Sequence, residues 1–217
     1  MATIEVFAQP FTLYRYRSLK ALDREIGALE STSIYCGDYS KLNDPMEGFF
    51  DISRLVKASA TSKKIEAAIK SESADVGISS FSETQDNELM WAHYANQFTG
   101  ICIAYNFPRL RRELPTDVYF SRMHYTEKIP IVGITRKKPD ALAKRVLSYK
   151  NHRWLYEREW RMFGPKGLVK YKSHSCIRRV YLGFRIEPAT LSVVQRRLSK
   201  IGVSTKLMKL AGYSIDF

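Results

Sequence analysis

Cysteine is scarce and poorly placed for cross-linking. Cys36, Cys102 and Cys176 are odd in number, far apart and never in a C-x-x-C pair, which argues against a disulfide framework or a structural zinc site and for reduced thiols. Histidine is equally sparse, with His93, His124, His152 and His174 scattered along the chain, so no metal site is expected from spacing. No apolar run approaches the roughly 20 residues that span a bilayer. The opening "MATIEVFAQPF" has neither the basic start nor the long apolar middle of a secretory signal. The expectation is a cytoplasmic protein with no membrane partner. A G-x-S-x-G nucleophile elbow, an internal repeat and a low-complexity linker are also missing.

What is present is enough apolar material to fold. Across 217 residues, 45% are hydrophobic and 12% aromatic, which excludes a disordered chain and leads to one domain, 1–217. Charge is unevenly placed: residues 1–108 hold 10 Lys and Arg against 14 Asp and Glu, and residues 109–217 hold 25 against 8. The basic half is expected to meet an anion, nucleic acid or another acidic acceptor. Arg111, Arg112, Arg136, Lys137, Lys138, Arg178 and Arg179 are the candidate phosphate contacts.

Hydrophobic periodicity gives a sequence of interspersed strands and helices. "FTLYRYRSL" reads as a first strand, with Leu13, Arg15 and Arg17 on one face, and a helix follows through Leu22, Ile26 and Leu29. "TSIYCG" is a strand, "LNDPMEG" a turn, residues 53–72 weakly helical, and "VGISSFSE" a strand. A helix begins near Asn87, capped by Thr84 or Asp86, and Gly100 ends it before the strand "ICIAYNF". On that helix Trp91 and Tyr94 share the apolar arc and His93 lies at its rim. "VYFSRMHYTE" reads as one strand, "KPDALAKRVLSYKNHRWLYE" as one long basic helix, and "EREWRMFG" as a strand placing Glu157, Glu159 and Arg161 on one face. "CIRRVYLGFRI", "EPATLSVVQRRLSKIG" and "VSTKLMKLAG" close the chain as strand, helix and strand. Without regular βαβ repetition this pattern predicts an α+β fold, a mixed and mainly antiparallel sheet with flanking helices.

Five stretches in order, "LYRYRSL", "LNDPMEG", "SFSE", "LMWAHYANQFTGICIAY" and "WLYEREWR", resemble a bacterial family known as domain of unknown function 2971, over about residues 13–182. The order of a strand-borne Arg, a strand-end Ser and a late Glu-x-Glu also looks loosely like the pattern of mono-ADP-ribosyltransferases. That second resemblance implies NAD as cofactor, Glu159 as the catalytic carboxylate and Glu157 as its assistant. It also implies Arg15 or Arg17 as the cofactor anchor, with Ser82, His93 and Tyr94 lining the site. The chemistry fits, because a carboxylate stabilises the oxocarbenium-like centre formed when nicotinamide leaves ribose, and an arginine fork binds pyrophosphate.

Plainer readings stand beside this one. Glu157, Glu159 and Arg161 can form a surface ion-pair ladder, and Arg15 and Arg17 can flank an edge strand. Asp44 or Asn43 can satisfy the backbone amides of a turn, or Asn43, Asp44 and Glu47 can ligate Mg²⁺ in a metal-dependent nuclease. The basic half can bind nucleic acid with no chemistry at all. If the aromatic stretch is one wall of a site, Trp91 is its buried anchor. His93 is then partly exposed and hydrogen-bonded near the Glu157 and Glu159 strand.

Overall fold

The computed structural model describes residues 8–59 and 61–217. The fold class is α+β with mainly antiparallel strands, as the interspersed pattern predicts. By its contacts the chain groups into two compact units: residues 8–32, 82–114 and 171–217 build the first, and residues 33–81 and 115–170 the second. Among the described residues, no helix is long and apolar enough to cross a membrane.

In the first unit the strands Thr205–Leu207, Ile177–Leu182, Ile101–Asn106 and Thr12–Arg17 lie side by side in that order. Thr12–Arg17 and Ile177–Leu182 both run antiparallel to the central strand, whose first five residues are all buried. The continuous apolar run "ICIAY" is what a strand covered on both faces requires. Ile177–Leu182 and Thr205–Leu207 are parallel, joined by the helix Pro188–Lys200. Proline at that helix's first position fills a site whose N–H needs no partner, and Gly202 just beyond its end has a φ of 71°.

The stretch 87–105 resolves into a short helix, a left-handed run and a strand. Asn87, rather than Thr84 or Asp86, is the cap, its Oδ1 accepting from the Met90 amide at 3.0 Å. The helix stops at Tyr94, earlier than Gly100, because Asn96, Gln97 and Phe98 all have positive φ. Trp91 is fully buried, donates its indole N–H to the Gln85 carbonyl at 2.7 Å, and stacks on Phe98 with planes 7° apart. Tyr16 meets it edge-on at 5.3 Å. The aromatic density in this segment is therefore core packing around Trp91, with its one polar atom satisfied.

In the second unit the strands Gly77–Ser82, Glu159–Gly164 and Tyr119–Arg122 are neighbours in that order. A separate pair, Ser33–Cys36 with Gly167–Lys170, is antiparallel, and two short ladders, Asp51–Ile52 with Ile131–Val132 and His124–Thr126 with Tyr149–Asn151, are parallel. The helices Ser62–Asp75 and Pro139–Val146 pack around Ile52, Val56, Ile69 and Val132.

Three expectations are corrected here. The long basic helix is really the helix Pro139–Val146, the strand Tyr149–Asn151 and a 3₁₀ turn His152–Glu157. The helix ends because the Ser148 hydroxyl bonds back to the Lys144 carbonyl at 2.7 Å and the next residues pair with His124–Thr126. "VYFSRMHYTE" is two strands broken at Met123. Glu157 is not on the strand of Glu159 and Arg161, since Arg158 at φ 46° turns the chain between them. A helix-period pattern covers that whole run, and only tertiary pairing divides it.

Candidate functional site

Five ionisable side chains converge inside the second unit: Glu47, Lys150, Glu157, Glu159 and Arg161, each with at most 7% of its surface exposed. They reach the cluster from four local devices. Glu47 follows the "NDP" turn, where Asp44 Oδ1 accepts from the Met46 amide at 2.9 Å and Gly48 at φ 79° lets the chain leave. Lys150 is the middle residue of its three-residue strand, Glu157 ends the 3₁₀ turn, and Glu159 and Arg161 share one face of a strand.

Ion pairs link all five groups. Arg161 holds Glu159 by two contacts, Nε to Oε1 at 2.8 Å and Nη2 to Oε2 at 3.2 Å, and donates from Nη1 to the Leu147 carbonyl at 2.6 Å. Lys150 Nζ lies 2.5 Å from Glu157 Oε2, 3.1 Å from Glu159 Oε2 and 3.3 Å from Glu47 Oε1. Arg161 also meets Glu47 through Nη2 and Oε2. Both Glu47 oxygens are buried, and Glu47 is held by its ion pairs with Arg161 and Lys150. Lys150 further lies 4.8 Å above the Trp154 ring, and the Glu159 amide donates to the Tyr125 hydroxyl at 2.7 Å.

Three carboxylates and two cations leave one negative charge in excess. Burial pushes Glu159 up, but Arg161 and Lys150 outweigh it and hold its carboxyl at about 2. Glu47 goes the other way: burial, reinforced by the negative Glu159, raises it despite Arg161 and Lys150. Lys150 and Arg161 are both held protonated more firmly than usual, the carboxylates outweighing burial. One member of this cluster reaches a surface feature: Lys150 lines a hollow of about 50 Å³ with Met46, Phe49 and Tyr149. The expectation of a surface ladder is thus corrected to a buried network. The sequence reading named Arg161 as the cation but missed Lys150, which lay hidden in the presumed helix.

The remaining candidate cofactor residues lie in the first unit. Arg17 clasps Glu25 with two bonds of 2.6 Å, and Glu25 is consequently held ionised although burial opposes it. Arg15 is buried on the same strand face. Ser82 is buried, and its hydroxyl accepts from the Thr84 amide at 3.2 Å. His93 is exposed, with its ring edge-on to that of Tyr94 at 6.4 Å. Among the described residues, the hydrogen bond expected of His93 is not found, nor is a group of three or more His, Cys, Asp or Glu able to hold a metal ion.

The basic candidates divide between the units. Arg136, Lys137 and Lys138 belong to an exposed segment of the second. In the first, the Arg179 side chain reaches toward Ser204 at 3.5 Å, and Arg112 is exposed on the helix Phe107–Glu113. Arg111 and Arg178 come together with aromatic groups at one end of three paired strands. The Arg178 guanidinium lies 4.5 Å over the Phe11 ring and bonds Thr12 Oγ1 at 3.3 Å. Arg111 lies 5.8 Å over Phe107 and bonds Gln9 at 2.8 Å. The Phe107 amide donates to the Phe11 carbonyl at 3.1 Å, tying the two pairs together. Phe11 keeps 60% of its surface exposed. The sequence reading missed it as a functional residue, although its place beside a strand start and ahead of two arginines was visible.

An α+β protein with a buried charge network and an exposed arginine–phenylalanine edge is the class these features define. Residues 90–162 match the family described as Protein of unknown function (DUF2971). The matched segment, about a third of the chain, includes Lys150, Glu157, Glu159 and Arg161. No curated protein and no solved structure matches the chain.

Proposed function

We propose that the protein binds single-stranded nucleic acid through the Phe11 end of its first unit. The observation that carries this reading is an exposed aromatic ring with one face under a guanidinium and a second arginine close by. A base stacked on an aromatic side chain contributes about 1–3 kcal/mol whatever its identity. Arginines beside it neutralise phosphates and make the affinity salt-dependent. Phe11 supplies the platform, and Arg178 and Arg111 supply the phosphate contacts.

Glycosyl transfer from NAD is the reading set behind it. It requires an oxygen of Glu159 turned toward a ribose hydroxyl, and both oxygens of that buried carboxylate are engaged by Arg161 and Lys150. A Mg²⁺-dependent nuclease would draw on Asp44, whose Oδ1 is engaged with its own turn.

Fluorescence anisotropy of labelled RNA and DNA oligonucleotides across a salt series tests the proposal. The expected result is binding to unpaired strands of either sugar, with log affinity falling by about 0.7 per decade of salt for each phosphate neutralised. No binding at low salt, or a flat salt response, removes it. Nicotinamide release from labelled NAD in the same preparations would instead restore the transferase reading.

A further inference from the structure

The second unit carries an open groove of about 540 Å³ that the charge cluster does not use. Its floor is core: Val56, Val132 and Leu142 belong to the buried cluster under the helices. Its walls are apolar residues left in solvent, Leu55 at 74% and Ile134 at 80% exposure. Large aliphatic side chains left in solvent along a concave surface are the mark of a site to be covered. A second hollow of about 250 Å³ continues along the same 131–135 segment toward Arg145 and Tyr149.

Charge decides what covers it. Neither hollow has an acidic residue in its lining. Lys64 and Lys137 both line the main groove, both are exposed, and neither has an acidic partner among the described residues. The nearby acid Glu66 is taken by Lys70 at 2.6 Å, and Asp140 faces Lys144 at 3.9 Å. Two unpaired ammonium groups beside an apolar trough are complementary to one anionic head and one aliphatic chain.

We infer that this groove binds a medium- or long-chain carboxylate, its alkyl chain between Leu55 and Ile134 and its head between Lys64 and Lys137. The volume lies within the range of small-molecule sites, about 300–1,000 Å³. The inference is independent of the nucleic-acid reading, which concerns the first unit.

Isothermal titration with decanoate below its micellar concentration, set beside 1-decanol, reads the claim directly. Decanoate is expected to bind one per chain and at least tenfold more tightly than the alcohol. The variant Lys64→Gln/Lys137→Gln should lose that tenfold advantage while keeping weak binding of the alcohol. Ile134→Glu, at a side chain already in solvent and so neutral to folding, should abolish binding of decanoate. Absence of decanoate binding overturns the inference, and so does equal affinity for the alcohol. Sedimentation showing a concentration-dependent dimer that Ile134→Glu disperses would also overturn it, by assigning the groove to a second copy of the chain.

Discussion

Arg161 and Glu159 sit two residues apart on one strand and grip each other through two contacts, Nε to Oε1 at 2.8 Å and Nη2 to Oε2 at 3.2 Å, with Arg161 wholly buried. An arginine of this kind cannot shed its charge, and a carboxylate facing it cannot be removed cheaply. Glu159→Gln keeps the volume but exchanges the two charged oxygens that grip the buried Arg161 guanidinium for one neutral acceptor, so that Arg161 keeps Glu47 as its ion-pair partner. The expected loss of stability is about 3–5 kcal/mol, read as a lower urea midpoint at unchanged slope. Replacing Glu159 and Arg161 together by apolar residues of similar size should recover much of that loss. A single Glu159→Gln variant as stable as the parent would remove Glu159 from the set of structural counter-ions.

The same cluster sets the acid response. Glu159 has a folded value of about 2 against an ordinary 4.5, so its stabilisation is present above 4.5 and lost as pH falls toward 2, on the order of 3 kcal/mol. Glu47 is raised, so its contribution is present below 4.5 and lost as pH rises through its folded value. Glu47 therefore contributes a climb from neutrality toward pH 4.5, opposed by His124, whose pKa burial lowers and whose contribution is lost as pH falls from 6.5 through its folded value, and below 4.5 stability falls. Glu47→Gln is expected to remove the climb and keep the fall, measured as unfolding free energy against pH. A climb that survives in Glu47→Gln would assign it to another group.

Much of the architecture was legible because local chemistry and tertiary structure agreed. The strand Thr12–Arg17, the helix Leu22–Glu30 and the turn at Asp44 follow from alternation, 3.6-residue spacing and Asx chemistry respectively. Where the sequence misled, a helical pattern ran across a boundary set by long-range partners: Tyr149–Asn151 pairs with His124–Thr126, over twenty residues earlier. The site was half visible for the same reason. Glu157, Glu159 and Arg161 stand close in sequence, but Lys150 and Glu47 join them only through folding. Burial, which distinguishes a network from a surface ladder, has no local signature.

Gly183 and Gly100 sit where the backbone of a neighbouring segment comes very close in the first unit. A side-chain carbon at Gly183 would overlap the Phe98 carbonyl oxygen, and one at Gly100 would overlap that of Arg17. Gly183 lies against the end of the left-handed run Asn96–Phe98, where Phe98 at φ 68° is kept for its stack on Trp91. Gly183→Ala should cost about 2 kcal/mol or more, because backbone rather than a flexible side chain must move. Phe98→Gly should relieve the strained φ yet still destabilise by about 3 kcal/mol through the lost aromatic contacts. Near-ultraviolet circular dichroism and thermal unfolding check both.

The three thiols should be inert in the folded protein. Cys36, Cys102 and Cys176 are all free and buried. Burial raises Cys102 well above its usual value, and burial with the Glu113 carboxylate at 3.1 Å pushes Cys176 up to about 12. Reaction requires thiolate and access, and both are withheld. Ellman's reagent is expected to titrate less than one thiol per folded chain and all three after denaturation. Fast labelling of Cys176 in native protein would mean that the Glu113 contact opens in solution.

Phe11 and Arg178 make separable contributions if the first unit binds unpaired nucleic acid. Phe11→Ala removes the stacking platform and leaves charge unchanged, so affinity should fall about five- to a hundredfold, the equivalent of about 1–3 kcal/mol, with the salt slope intact. Arg178→Gln removes one phosphate contact and uncovers a ring face. Its affinity should drop mainly at low salt, and its slope should shrink by about 0.7. Phe11 is already 60% exposed and Arg178 lies at the surface, so both variants should melt at the parent temperature and any loss of binding is not a loss of fold. Arg136→Gln, in the other unit, serves as the control for charge alone. An equal loss in Arg136→Gln and Arg178→Gln, with Phe11→Ala unaffected, would mean that binding is diffuse attraction to a basic chain and that the Phe11 edge has no special part in it.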